Sequence, residues 1–596
     1  MKKTIISAMI LIGGCLSAAA GDIFVSATRG NDRAQGTADA PLQTIEQALK
    51  QAREWRRLAD RRTEGGIFIK VEGGTYRPIK PIYVRPEDSG TKASPTVIQG
   101  CPGADVVISG GTAVTGWRRG CDDTRLPAGM RERVWVADAP LREGRIVETR
   151  QLWADGRKAL RASLFGKDKM QRMKAFDVSD ESITIPTPDV DLSRADRLEM
   201  TVHQRWAIAI LRVREMKDLG NGLTKVFFRQ PESRIEFAHP WPQPVIDGER
   251  GSSSFALTNA LELLDEPGEW YQDYPSGRIY YYPEEGKNPN EMKIVVPSQE
   301  ELMVIDGTRE RPISNLRFEN LRFEHSSWLR PSLEGHVTLQ GGFRFIDGYK
   351  LPVAGLFHKA ELENQAWIAR PEAAVKARFA TDIAFSDCRF EHIGATALDL
   401  EYAVSSSDIT ACVFEDIGGT AIMAGYFGEG GFETHIPYSP AVRDDLCRSL
   451  EISNCRIDDA ANEDWGCVAI GAGYVSDTKI VHNEVSNVNY SGICVGWGWT
   501  ALESGMRNNS ITDNHVHDYA RQLYDAGGIY TLSNQPGSVI TRNRISAPYP
   551  APYATNHRAF CIYFDEATDG FTVSDNDMVK GSFGYNKPGP SMVIKE

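Results

Sequence analysis

Two aspartates near the end of the chain, Asp525 in YDAGGIYTLSNQPGS and Asp565 in FCIYFDE, occur in corresponding strand-like stretches rich in aromatic residues. Strand alternation points Ile529, Thr531, Ile562 and Phe564 inward, and leaves Tyr530, Tyr563 and Asp565 facing out. Asp525, with Tyr524 beside it, stands about seven residues upstream of the Asp565 level, too far along a straight strand at ~3.3 Å per residue. The pair can meet across one groove only if Gly527 and Gly528 bend the chain back. Two such carboxylates are what cleavage of a glycosidic bond requires, one to protonate the leaving oxygen and the other to attack or to activate water. Nearby aromatic rings lower the local polarity and can drive the two pKa values apart. The plainer reading of each aspartate is a turn cap, since Asp before Gly bonds its own backbone.

Around the pair lie further candidates for sugar contact. Glu566 and Asp569 are additional acids, and His517, His557 and Arg558 could meet sugar hydroxyls or be ordinary surface residues. In GICVGWGW, Ile493 and Val495 point inward, while Trp497 and Trp499 extend beyond the strand. Their rings need a cover, either a stacked sugar or the packing of another domain.

Other chemistries find no support in the motifs. The sequence has no Ser-His-Asp arrangement, phosphate-binding glycine loop, calcium loop or zinc-ligand spacing, so neither a cofactor nor a metal is expected. The chain has 596 residues, 67 Lys+Arg against 80 Asp+Glu, a net charge of -13 and 41% hydrophobic content. That balance argues against nucleic acid or an anionic membrane as partner and leaves an oligosaccharide or polysaccharide open. A monomer is expected.

The elements that must position these residues are repetitive. LRFENLRF, IAFSDCRF, ITACVF, LEISNCRI, KIVHNEV, ITDNHV, VITRNRI and FTVSDNDM share one pattern, which superposes Asn320, Cys388, Cys412, Cys455, Asn483, Asn514, Asn543 and Asn576. The last five are 28, 31, 29 and 33 residues apart, a coil length with small insertions. Second strands such as ATALDL, CVAIGAG and GGIYTL fall between the copies. Stacked coils of this kind describe an all-β, right-handed parallel β-helix in which like residues form columns and asparagine amides bond to one another.

Residues 21–113 should form an N-terminal cap and the first coils, with a cap helix starting at Thr44 and running toward Arg57. The rhythm is lost over 114–297, where separated strands such as SITIP, KVFFR and RIYYYP predict an inserted antiparallel β-sandwich-like domain. Residues 298–596 should be the main β-helix with the groove. Residues 1–20 read as an export signal, Met1-Lys2-Lys3 followed by an apolar run and Ala18-Ala19-Ala20. Lipid attachment at Cys15 is the alternative, and a periplasmic, extracellular or cell-surface location follows. No later run is apolar enough for membrane insertion. The remaining cysteines form no C-x-x-C pair and read as buried fillers.

Several of these segments together resemble glycoside hydrolase family 141. They are the opening IFVSATRGNDRAQGTADAPLQTIEQAL, TVIQGCPGADVVISGG, LDEPGEWYQDYPSGRIYYYP, and the coils YDAGGIYTLSNQPGSVITRN and IYFDEATDG. The resemblance covers nearly all of the chain after the signal. It implies a secreted β-helix enzyme with an added β-sandwich, α-L-fucosidase activity on complex pectin, and xylanase activity as a second specificity. It also implies catalytic roles for Asp525 and Asp565. The loops from Gly425 to Asp445 and from Ala547 to Arg558 are expected to set specificity. Two other readings compete with a hydrolase: a polysaccharide lyase acting on uronates, and a non-catalytic glycan-binding solenoid with Trp497 and Trp499 as its platform.

Overall fold

The computed structural model describes residues 21–166, 168–239, 242–248, 251–349, 365–430 and 433–595. Residues 1–20, where an export signal is expected, and Cys15 among them lie outside the described residues. The body of the molecule is a parallel β-helix. One of its sheets stacks ten strands, from Gly74–Tyr76 and Val106–Ser109 through Arg322–Ser326, Glu484–Ser486 and His515–Val516 to Asp577–Val579, while the remaining coil strands form a larger parallel sheet.

Three recurring features set the coil. Inward positions carry Ile, Val and Phe, so identical residues stack: the ring centroids of Phe318 and Phe385 are 4.7 Å apart, and those of Phe390 and Phe414 also 4.7 Å. Beside them runs a column of buried amides. Asn483 Nδ2 donates to Asn514 Oδ1 at 3.0 Å, Asn514 to Asn543 at 3.0 Å, and Asn543 to Asn576 at 2.9 Å. Each amide also donates to a backbone carbonyl and accepts a backbone N–H. Removing one would strand buried partners at about 1–3 kcal/mol. The third feature is a left-handed corner one residue earlier, at Asp387, Ala411, Asn454, His482, Asp513, Arg542 and Asp575, with φ between 53° and 58°.

That corner corrects the alignment of the first repeat. Phe318 pairs with Phe385 and Glu319 with Ser386, so Asn320 falls opposite Asp387 and Leu321 opposite Cys388. Asn320, with φ 51°, fills the corner, which asparagine tolerates well. Leu321 takes the inward column in its place.

The solenoid is interrupted twice. The chain leaves it after Val106–Ser109 and returns at Met303–Asp306, which pairs with Ile82–Val84; Thr96–Gly100 then finds its neighbour in Ile313–Glu319. The excursion between builds largely antiparallel sheets around Glu199–Gln204, Ala207–Gly220 and Glu269–Asp273, the last of which also pairs in parallel with Leu160–Arg161. The second interruption falls inside residues 298–596, the span expected to form the main β-helix. His336–Gln340, Phe343–Tyr349 and Gln365–Ala369 instead form an antiparallel meander that joins the inserted sheet, with Val337 opposite Ala209.

A cap helix, Ile45–Arg57, covers the first coil with Ile45, Ala48, Leu49, Ala52 and Trp55. Thr44 Oγ1 accepts from the Gln47 N–H. Two of its arginines anchor it to the coils beneath: Arg53 bonds Asp88 at 2.7 Å, and Arg56 reaches Thr96 Oγ1 at 2.9 Å.

Candidate active site

The two C-terminal coils bring Asp525 and Asp565 into one network through their tyrosines. Ala526–Thr531 pairs in parallel with Ala559–Phe564, which places Tyr530 opposite Tyr563. The hydrogen bonds then cross between coils. Tyr563 Oη donates to Asp525 Oδ1 at 2.9 Å, and Tyr530 Oη donates to Asp565 Oδ2. The two rings meet edge to face at 5.3 Å. Gly527 and Gly528 lie within the paired strand, and the left-handed turn that precedes it is at Asp525 itself, with φ 60°. A Cβ on Gly527 would fall 2.6 Å from the Ile529 carbonyl oxygen, and one on Gly528 2.5 Å from Ile545, so no side chain fits at either.

Asp565 is the deeper carboxylate, 9% exposed. Asn586 Nδ2 donates to its other oxygen at 2.6 Å. Burial pushes its pKa up to about 6, against the two hydrogen bonds that favour the anion and with help from the negative charge of Asp525. Burial raises Asp525 as well, but Arg558, with Nε 3.3 Å from Oδ1, and Arg205 pull it back toward the ionised form. Among the described residues, Arg558 is the one cation in an ion pair with either carboxylate. Its Nη2 also donates to Tyr563 Oη at 2.6 Å. Burial and the nearby carboxylates raise both tyrosines, which therefore stay protonated as donors at neutral pH.

Four neighbours were not singled out from the sequence. Tyr490 Oη donates to the Asp525 carbonyl at 3.0 Å and accepts from Gln340 Nε2 at 3.1 Å. Arg205 sits at a tight turn of the inserted domain, and its carbonyl accepts the Tyr524 N–H at 3.1 Å. Asn586 could have been found, because Phe564 pairs with Tyr585 and the residue one coil after Asp565 is therefore Asn586. Gln340 and Arg205 come from the two excursions, where no repeat fixes a register.

The other candidates separate. Tyr524 is buried; its hydroxyl meets Thr555 Oγ1 at 2.5 Å and its ring stacks on His203 at 6.0 Å. His557 is exposed on the loop that precedes Ala559. Glu566 is half-buried, with Lys587 Nζ at 3.4 Å. His517 lies on the ten-stranded sheet, against Asp518 and Glu484, and bonds neither aspartate of the pair. Trp497 and Trp499 are 4% and 8% exposed, which corrects their reading as an open platform. Phe343 and Phe427 pack on Trp497 at 5.2 and 5.1 Å, His435 on Trp499 at 5.5 Å, and Trp497 Nε1 donates to Thr434 Oγ1 at 2.9 Å. The cover is therefore the 425–445 loop and the second excursion.

A parallel β-helix that presents two buried acids linked through tyrosines is the framework of a polysaccharide-active enzyme, and comparison with known proteins makes the class definite. A solved structure described as a glycoside hydrolase superposes with a TM-score of 0.91 at 42% identity, over 96% of each chain. Residues 132–284 match the model of the insertion domain of glycoside hydrolase family 141. A pectate lyase, PEL9 of Emericella nidulans, is 40% identical over 91 residues, 15% of this chain and 19% of that protein's length. The structure of XylC with xylose aligns at 12% identity and a TM-score of 0.44, over 94% of this chain and 69% of that one. The chain is a glycosidase acting on carbohydrate, and it belongs to glycoside hydrolase family 141.

Proposed function

We propose that this enzyme is an exported, monomeric α-L-fucosidase acting on complex pectin, and that Asp525 and Asp565 carry the hydrolysis. The observation that carries the assignment of the pair is its crossed hydrogen bonding: each acid accepts a tyrosine hydroxyl from the neighbouring coil, and one cation, Arg558, is shared between Asp525 and Tyr563.

The two environments favour different duties. Asp565, raised to about 6 by burial, keeps a proton available in mildly acidic to neutral solution and acts as the general acid on the glycosidic oxygen. Asp525, beside the Arg558 guanidinium, acts as the anion, either attacking the anomeric carbon or activating water. If Asp525 attacks, the water that later displaces it from the sugar gives its proton to Asp565; if Asp525 activates water instead, it takes that proton, and exchange with solvent resets both carboxyls. Asn586 and Tyr530 hold Asp565, and Gln340 holds the strand behind Asp525 through Tyr490. The fucosyl specificity and the pectic substrate rest on the family resemblance, and the 425–445 and 547–558 loops are the places where this chain would express it.

Product analysis on fucosylated pectic oligosaccharides, xylo-oligosaccharides and homogalacturonan tests the reading. Release of free L-fucose is expected from the first alone. Xylose or xylo-oligosaccharide products would replace the fucosidase assignment, and unsaturated ends absorbing in the near ultraviolet would replace hydrolysis by elimination.

A further inference from the structure

We propose that the outer face of the ten-stranded sheet binds a divalent transition-metal ion of the zinc type through Glu484, His515 and His517, tying two consecutive coils together. The sheet register makes the cluster. Glu484 pairs directly with His515 on the next coil, and His517 follows two residues later on the same side of the strand path. One ligand atom from each of the three residues lies within 4.8 Å of the other two. His517 Nε2 is 3.8 Å from Glu484 Oε1, and the two imidazole rings are 4.6 Å apart. Tetrahedral zinc with bonds of about 2.1 Å sets its ligands about 3.4 Å apart, within reach of small rotations of these half-exposed side chains.

A second observation points to the same use. His517 Nδ1 is 2.7 Å from Asp518 Oδ2. A carboxylate on one ring nitrogen fixes the tautomer that leaves the other, Nε2, as a lone-pair donor aimed at Glu484, which is the arrangement in which metal-ligating histidines are held. Two imidazoles and one carboxylate favour zinc, copper or nickel over calcium or magnesium, which take oxygen ligands.

Two arginines flank the cluster on the neighbouring coils. Arg544 follows His515 in the register, but its Nε is 3.8 Å from Asp577. Arg456 precedes Glu484, and its Nη2 bonds Glu415 at 3.1 Å. Both guanidiniums are thus directed to carboxylates of their own. No zinc-ligand spacing shows in the sequence because Glu484 and the two histidines belong to different coils.

The site lies on a different sheet from Asp525 and Asp565, so the ion acts as a staple and takes no part in turnover. Chelator-stripped full-length protein titrated with Zn2+ in a calorimeter should bind about one equivalent. Binding should weaken at least about tenfold in the His515→Ala/His517→Ala double variant and less in Glu484→Gln. Zn2+ should raise the melting temperature of the wild type and not that of the double variant, and hydrolysis rates with and without Zn2+ should agree. Should the double variant not fold, His517→Gln titrated with Co2+ serves instead, read by loss of the visible bands of tetrahedral cobalt. Equal affinity in wild type and variants, or no binding of Zn2+ by the stripped wild type, overturns the proposal.

Discussion

Two of the places where this molecule buries carboxylates differ in what surrounds them, and the contrast shows what fits one of them for chemistry. At the seam between the inserted domain and the solenoid, beside a cavity of about 280 Å3, Asp416 is 3.0 Å from Lys158 Nζ and bonds His392 Nδ1 at 2.8 Å and Trp153 Nε1 at 2.7 Å. Glu199 accepts from Arg150 and Arg161 at 2.6 and 2.8 Å. Burial disfavours both anions, yet the cations more than offset it, and both carboxyls are held well below the usual range. They are locked as anions. At the C-terminal coils burial is similar, but neutral tyrosine and asparagine donors replace most of the positive charge, and both acids are raised. Depth alone does not make an acid useful. The withheld counter-charge does, because it leaves a proton that can move.

The largest effect should come from breaking the reactive side. Asp565→Asn or Asp525→Asn should each lower kcat by about 10²–10⁴-fold while circular dichroism stays unchanged. Retention of wild-type turnover by both variants would end the assignment of the pair. On the seam, Lys158→Ala should leave kcat near wild type but cost about 3 kcal/mol of stability at pH 7, measured by denaturant unfolding. Because the folded pKa of Asp416 is depressed, the stabilisation it draws from Lys158 is present above its unfolded value near 4 and is lost as pH falls. The cost of Lys158→Ala should therefore shrink in acid.

Asp565 should show the opposite sign. Its folded pKa of about 6 exceeds the unfolded value, so ionisation penalises the fold fully above pH 6 and not at all below about 4. Asp565→Asn should then be more stable than wild type at pH 8 by about 3 kcal/mol, with the difference vanishing near pH 4. An advantage independent of pH would mean that Asp565 is not titrating as described. The smallest effect is expected from Tyr530→Phe. Losing this donor to the anion should move the alkaline limb of the kcat profile up by about half a unit to one unit, with a turnover loss of about tenfold or less.

Much of this was legible in the sequence because a solenoid writes its geometry as a period. The Asn483, Asn514, Asn543 and Asn576 column could be read directly, and alternation placed Tyr530, Tyr563 and Asp565 on the outer face. The same logic slipped by one residue at Asn320, because asparagine suits both the inward amide column and the left-handed corner, and only the strand register separates the two. What stayed hidden lies off the period. Gln340 and Arg205 reach the site from excursions whose pairing partners are distant in sequence, and the cover over Trp497 and Trp499 is a loop that no alternation predicts. Glu484 and His515 meet only once the coils are stacked.

The strand Thr96–Gly100 pairs with Ile67–Val71 on one side but must wait for Ile313–Glu319 on the other, with more than two hundred intervening residues to be gathered in first. Between Asn483 and Asn576, each coil closes onto the last over roughly thirty residues. Closing a loop costs more entropy the longer it is. The end of the chain made last is thus the end best suited to assemble by itself, and a seed of C-terminal turns can offer a template edge to which the earlier, interrupted turns are later recruited.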